Sequence, residues 1–197
     1  MVNGAVEGDV DEAVLLRLVG LVGATPGPVF GKTGKEDLLK RLRGYNAAAR
    51  HHPWLVLVDL DDADECAPPY REEQLPDPAP NMCFRVVVRE IEAWLFADRE
   101  RMAGFLSIAR SRIPSDPEAV PDPKETMVRL ARSSRRRDIR EDMVPRPRSG
   151  RTVGPAYNSR LIEFVMNDSD GWRPLVAAQS SQSLARCLRC LRRLATG

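Results

Sequence analysis

The sequence predicts an α/β fold: a mainly parallel sheet flanked by helices, followed by a helical C-terminal extension. Three observations carry this. Trp54-Leu-Val-Leu-Val58 is a continuous apolar run rich in β-formers, as expected of a strand buried on both faces. Before about residue 106 strand-like and helix-like segments alternate, the signature of parallel strands joined by crossover helices. Beyond residue 107 no apolar run reads as a strand. The expected division is therefore an α/β core over 1–106 and a basic helical extension over 107–197 packed on it.

Taken in order, Val2–Val6 predicts a short strand that turns at Glu7-Gly8 into a helix over Asp11–Val22. There Val14, Leu15, Leu18, Val19 and Val22 recur at helical spacing, and Asp9 or Asp11 caps the exposed amides. Gly23–Gly34 (GATPGPVFGKTG) predicts a turn-rich loop, and Lys35–Arg50 a helix with Leu38, Leu39 and Leu42 on one face. After the strand at 54–58, residues 66–80 hold five prolines and predict a loop. Phe84–Val88 predicts another strand, feeding a helix from Arg89 to about Phe105. Helices are expected near 123–134, 157–167 and 180–195. The last aligns Leu184, Leu188, Leu191 and Leu194 on a face that packs on the core, with its arginines on the others.

The 197 residues, 43% hydrophobic and 29% charged, suffice for one well-buried core. No apolar run approaches the roughly 20 residues that cross a bilayer, and the acidic N-terminus is unlike a secretory signal, so no membrane partner and a cytoplasmic location are expected. Cys66, Cys83, Cys187 and Cys190 are then expected as reduced thiols. The net charge of +2 conceals an asymmetry: residues 1–98 hold 10 Lys+Arg against 17 Asp+Glu, and residues 99–197 hold 20 against 11. A basic lobe beside acids suits a cation site facing a polyanion; mutual attraction of two solvated surfaces is the plainer reading.

The chemistry concentrates where strands end. VEGDVDE (6–12) and LVDLDDAD (57–64) each follow an apolar strand, at the edge where ligands of parallel sheets bind. Carboxylate oxygens are the hard donors that Mg2+ or Mn2+ prefers, and Asp59 and Asp61, two apart on an extended segment, would point the same way and share one ion. Glu7 on a neighbouring strand would complete the set. Asp62 and Asp64 read as caps of a following turn or as outer support for the metal.

A Glu-Gly turn after the first strand and a later strand ending in Asp-x-Asp resemble the Toprim domain of topoisomerases, primases and overcoming-lysogenization-defect nucleases. The wider pattern resembles a Toprim-related bacterial family, domain of unknown function 4276. It lies in VEGDVDE, Gly31-Lys-Thr-Gly-Lys35, LVDLDD, FRVVVREIEAWLFAD (84–98), DPKE (122–125), GPAYN (154–158) and the final helix, nearly the whole chain. The first strand departs from the Toprim pattern in being short and interrupted by Asn3-Gly4.

The resemblance implies a Toprim-like sheet and a metal-dependent nuclease acting on phosphodiesters, in anti-phage or anti-plasmid defence beside an ABC-type ATPase. It implies Glu7 as the Toprim glutamate, bridging ions or acting as general base. Asp59 and Asp61 become the ligands of Mg2+ or Mn2+, and Asp11 a ligand of a second ion. Lys124 of DPKE becomes a transition-state stabiliser, set against the simpler role of a helix-start lysine. Glu90 and Glu92 read as metal ligands or as a solvated helix start.

Lys32 and Lys35 could touch nucleic-acid phosphate or be ordinary loop lysines, and Gly27–Thr33 misses the spacing of a Walker loop. Arg135, Arg136 and Arg137, in the densest basic run, could grip a nucleic-acid backbone, or lie in a mixed-charge solvated segment with Asp138, Glu141 and Asp142. His51 and His52 lack zinc-spaced partners. Two other classes remain: a non-catalytic Toprim scaffold binding nucleic acid or an ATPase, and a nucleotide-sugar transferase using Asp-x-Asp, which lacks glycine-rich support. A homodimer through strand edges or the last helix is also open.

Overall fold

The computed structural model describes residues 1–61 and 66–196; Asp62 and Asp64 lie outside the described residues. The elements run β1 (Val2–Val6), α1 (Asp9–Leu21), β2 (Pro26–Gly31), α2 (Lys35–Ala48), β3 (Trp54–Asp59), α3 (Ala67–Gln74) and β4 (Met82–Val87). They continue as α4 (Ile91–Phe96), α5 (Arg99–Leu106), a 3-10 turn (Arg110–Arg112), α6 (Pro123–Arg132), α7 (Arg137–Met143), α8 (Tyr157–Met166), α9 (Pro174–Ala177) and α10 (Gln182–Thr196). The four strands form one sheet in the order β2-β1-β3-β4, every pair parallel. The expected α/β fold is present, and no helix among the described residues is long and apolar enough to cross a membrane.

The chain separates into two compact units. One comprises Met1–Val88 with Gln182–Gly197, the other Arg89–Ser181. This differs from a boundary at residue 106, because the helices after β4 pack among themselves whereas the final helix returns to β4.

In the first unit the strand register sorts side chains onto two faces. Ala5, Val56 and Phe84 align across β1, β3 and β4, and with Val58 and Val86 they bury against Leu38, Leu42 and Tyr45 of α2 and Tyr70 of α3. The row one residue back, Gly4, Leu55 and Cys83, faces the opposite way. A Cβ on Gly4 would lie 2.7 Å from a Leu15 methyl, so the missing side chain admits α1 against β1. That accounts for the glycine in a five-residue strand. α10 covers the same face at β4, burying Leu184, Cys187, Leu188 and Leu191.

Two segments expected to be loops are regular. Pro26–Gly31 is a strand because β2 is an edge: its prolines can face away from the single partner, and the register shifts between Val2 and Gly4 to accommodate them. Ala67–Gln74 is a helix because Pro68 and Pro69 occupy its first turn, where the missing N–H groups have no intrahelical acceptor to lose. The single helix expected from Arg89 to Phe105 is two, the second capped by Asp98, whose carboxylate accepts from the Arg101 amide.

The second unit has its own core around Trp94 and Trp172, both fully buried, with the Trp172 indole N–H donating to the Trp94 carbonyl at 3.0 Å. Asp98, also fully buried, accepts from the Arg173 amide and, at 2.7 and 2.9 Å, from its guanidinium. These bonds hold the Arg173 guanidinium above its ordinary range.

Candidate active site at the carboxyl edge of the sheet

β1 and β3 are neighbours, so the two acidic motifs that follow them meet at one edge of the sheet. The Asp59 amide donates to Glu7 Oε1 at 2.7 Å. Glu7 thus ties the loop after β1 to the last residue of β3. Asp59 is buried, and Asp11 is buried in the first turn of α1. A Cβ on Gly8 would stand 3.2 Å from an Asp11 carboxylate oxygen, so the Glu-Gly turn lies against this acid too. The positive end of α1 favours carboxylates there.

Asp61 departs from the extended geometry on which its alignment with Asp59 rested. β3 ends at Asp59, and Asp61 takes a left-handed φ of 59°. Its carboxylate accepts from Lys35 Nζ at 3.1 Å, and the same ammonium donates to the Leu60 carbonyl at 3.2 Å and sits 5.0 Å from the centre of the Tyr70 ring. Burial pulls the Lys35 ammonium down, but Asp61 and Tyr70 more than offset this and hold it above the usual lysine range. Lys32 pairs instead with Glu12 at 3.1 Å, from a residue with φ of 69° just past β2. Both lysines of the GKTGK segment therefore end beside acids of this edge.

Among the described residues no three His, Cys, Asp or Glu side chains are grouped so as to hold a metal ion. By donor chemistry the carboxylates of Glu7 and Asp59, whose residues are linked through the Asp59 amide, fit a hard divalent cation; Asp61 would have to exchange Lys35 for it.

The other expected site residues belong to the second unit. The Lys124 amide donates to Glu90 Oε2 at 2.8 Å, and its ammonium lies 3.4 Å from Glu90 Oε1. Glu90 so restrains the first turn of α6, where Asp122 also accepts from the Glu125 amide at 2.6 Å. These residues line a cavity of about 430 Å³ with Arg132. Glu92 is not part of a solvated helix start. It is 2% exposed and accepts from the Tyr157 hydroxyl at 2.9 Å. Burial, reinforced by Glu90, raises its carboxyl above the ordinary range against the opposing pull of Lys124 and Tyr157. Tyr157, the tyrosine of GPAYN, has its hydroxyl raised in turn by burial and by Glu92. The sequence carried no sign of this pair, because its members are 65 residues apart.

Of the expected backbone-gripping arginines, Arg136 pairs with Asp138 and Arg137 with Glu141, and both stand in or beside α7. Arg135 is exposed, and its amide donates to the Ser107 carbonyl at 3.3 Å. Two of the three thus already have carboxylate partners. The histidine pair precedes β3 and is exposed.

Fold and site define an α/β protein whose strand-end acids gather at the carboxyl edge of an all-parallel sheet. No protein-family model, curated protein or solved structure matches the chain.

Proposed function

We propose that this protein is a Toprim-like nuclease that hydrolyses nucleic-acid phosphodiesters with Mg2+ or Mn2+. The reading rests on one observation above the rest: the Glu7 carboxylate and Asp59, from motifs 52 residues apart, are joined at adjacent ends of parallel strands, where such sheets bind ligands. Glu7, Asp59 and Asp61 would hold the ion, with Asp11 close behind the Glu-Gly turn. When bound, the ion supplies Lewis-acid activation of water and charge neutralisation at phosphate. Glu7 orients the Asp59 backbone, and its carboxylate can take a proton at the edge. Were Asp61 to hold the ion, Lys35 would no longer be paired with it and could meet a substrate phosphate beside the same edge. The setting that the resemblance implies is phage or plasmid defence with an ABC-type ATPase.

The test is cleavage of plasmid and single-stranded substrates with Mg2+ and then Mn2+, comparing the native chain with the Asp59→Ala, Asp61→Ala double variant, alongside calorimetric metal titration. Cleavage lost in the variant is the expected result. A second reading draws on the Lys35–Asp61 pair, which already neutralises one expected ligand: a scaffold that binds nucleic acid or an ATPase without cutting. Absence of both cleavage and metal binding in the native chain selects it. Metal binding without cleavage points to a required ATPase partner.

A further inference from the structure

α10 carries Arg186, Arg189, Arg192 and Arg193, and the sequence has no Asp or Glu after Asp170. Its apolar face is committed to β4, so all four arginines are exposed. Arg85 of β4 joins them. It lies two residues from Cys83, and therefore on the same face of the sheet, where the Cys83 thiol is in hydrogen-bonding contact with Cys187 and Cys190. Together the five arginines line a cavity of about 650 Å³, to which no other side chain among the described residues contributes. No ion pair to Arg85, Arg186 or Arg189 occurs among the described residues. Arg101, Arg136, Arg137, Arg160 and Arg173, by contrast, each pair with a carboxylate. The local field is positive enough to register on a thiol: contact with Cys83, aided by Arg85 and Arg193 and opposed by burial, brings Cys190 down to about 6.

We infer that this face of α10 and β4 is a docking surface for the phosphodiester backbone of a nucleic acid. Like charges crowded around one cavity repel, and an anion relieves that repulsion. Guanidinium groups are weakly hydrated and bond phosphate in a two-pronged fashion, so phosphate is the anion they suit. Arg186, Arg189 and Arg193 follow one another by three and four residues, roughly 4.5 and 6 Å of helix rise. A compact anion meets only part of such a row, whereas a chain of phosphates can follow it. A membrane is a poorer fit, since the apolar face that would insert is already packed on the sheet. With only arginines lining the cavity among the described residues, backbone contact without base reading is expected.

The inference rests on the proposed nuclease only for its choice of ligand, and it needs no metal. It is tested on the full chain in EDTA by fluorescence anisotropy with a labelled single-stranded 20-mer (about 20 nucleotides, longer than the row of arginines) and its duplex over a salt series. The comparison is with the Arg85→Gln, Arg186→Gln, Arg189→Gln triple variant. Expected is at least about a tenfold loss of affinity at low salt, with the slope of log K against log salt reduced by about 2 for the single strand. Binding is read in EDTA, without the divalent ion that the proposed cleavage needs, so a failed nuclease reading leaves this result standing. Unchanged affinity and slope in the triple variant overturn the surface, as does arginine-dependent binding to phosphatidylserine vesicles with none to the oligonucleotides. Because the triple variant could misfold, phenylglyoxal labelling of the native chain gives a second reading. The oligonucleotide should shield Arg186 and Arg189, and failure to shield them overturns the proposal.

Discussion

A buried carboxylate with a single hydroxyl partner is the residue-scale feature with the clearest solution signature. Glu92 titrates at a raised pH in the folded chain because burial disfavours its charge, with Glu90 adding to that effect. The folded state therefore holds the Glu92 proton where the unfolded chain has lost it. Its contribution to stability is complete below the ordinary glutamate range and declines as pH rises through the elevated folded value. Glu92→Gln keeps an oxygen to accept from Tyr157 and removes the titration. Thermal unfolding across pH 4 to 9 (about the range over which a buried carboxyl titrates) should show the two curves coinciding at the acid end and the variant unfolding at higher temperature at the alkaline end. Parallel curves throughout would refute the burial argument. The residue types around Glu92 were plain in REIEAW, but its partner in GPAYN was not, since only packing joins α4 to α8.

At the scale of elements, β2 shows how local signals mislead. Two prolines and two glycines in six residues read as a loop, and an edge position makes them a strand. Its end is unforgiving: Gly31 has φ of 89°, and a Cβ there would fall 2.2 Å from the Val6 carbonyl oxygen, which also accepts from the Lys32 amide at 2.9 Å. Gly34 has a similar φ of 93° with open space around it. Gly34→Ala should therefore cost only the strain of that positive-φ, extended-ψ backbone, about 2 kcal/mol. Gly31→Ala should cost more, about 3 kcal/mol, by parting β1 from β2 beside Glu7. Urea midpoints decide between them, and equal costs would remove the close-approach explanation. Elements with strong periodicity, such as α1, α2 and α10, were legible within a few residues, because their apolar spacing directly states which face is buried.

For the whole molecule the division into units follows the return of α10 to the sheet. Leu184, fully buried on that helix, lies at the far end of the sequence from the residues it supports. Leu184→Ala should destabilise the sheet unit by about 3 kcal/mol. Thiol labelling under increasing urea would register this as Cys83, buried beneath α10, becoming reactive at a lower midpoint. An unshifted Cys83 midpoint would instead attach α10 energetically to the helices before it, as a division at residue 106 implies.

The sequence by itself determined the class of fold, the strands β1, β3 and β4 and the helices of strong apolar period, since burial periodicity is written residue by residue. It also determined which acids terminate β1 and β3, because position at a strand end is a local property. Tertiary structure alone decided the rest. Strand order brought Glu7 to Asp59, the left-handed turn at Asp61 gave that acid to Lys35, and the return of α10 set four arginines beside Arg85. Each of these joins residues distant along the chain through the free energy of packing, which no local pattern encodes.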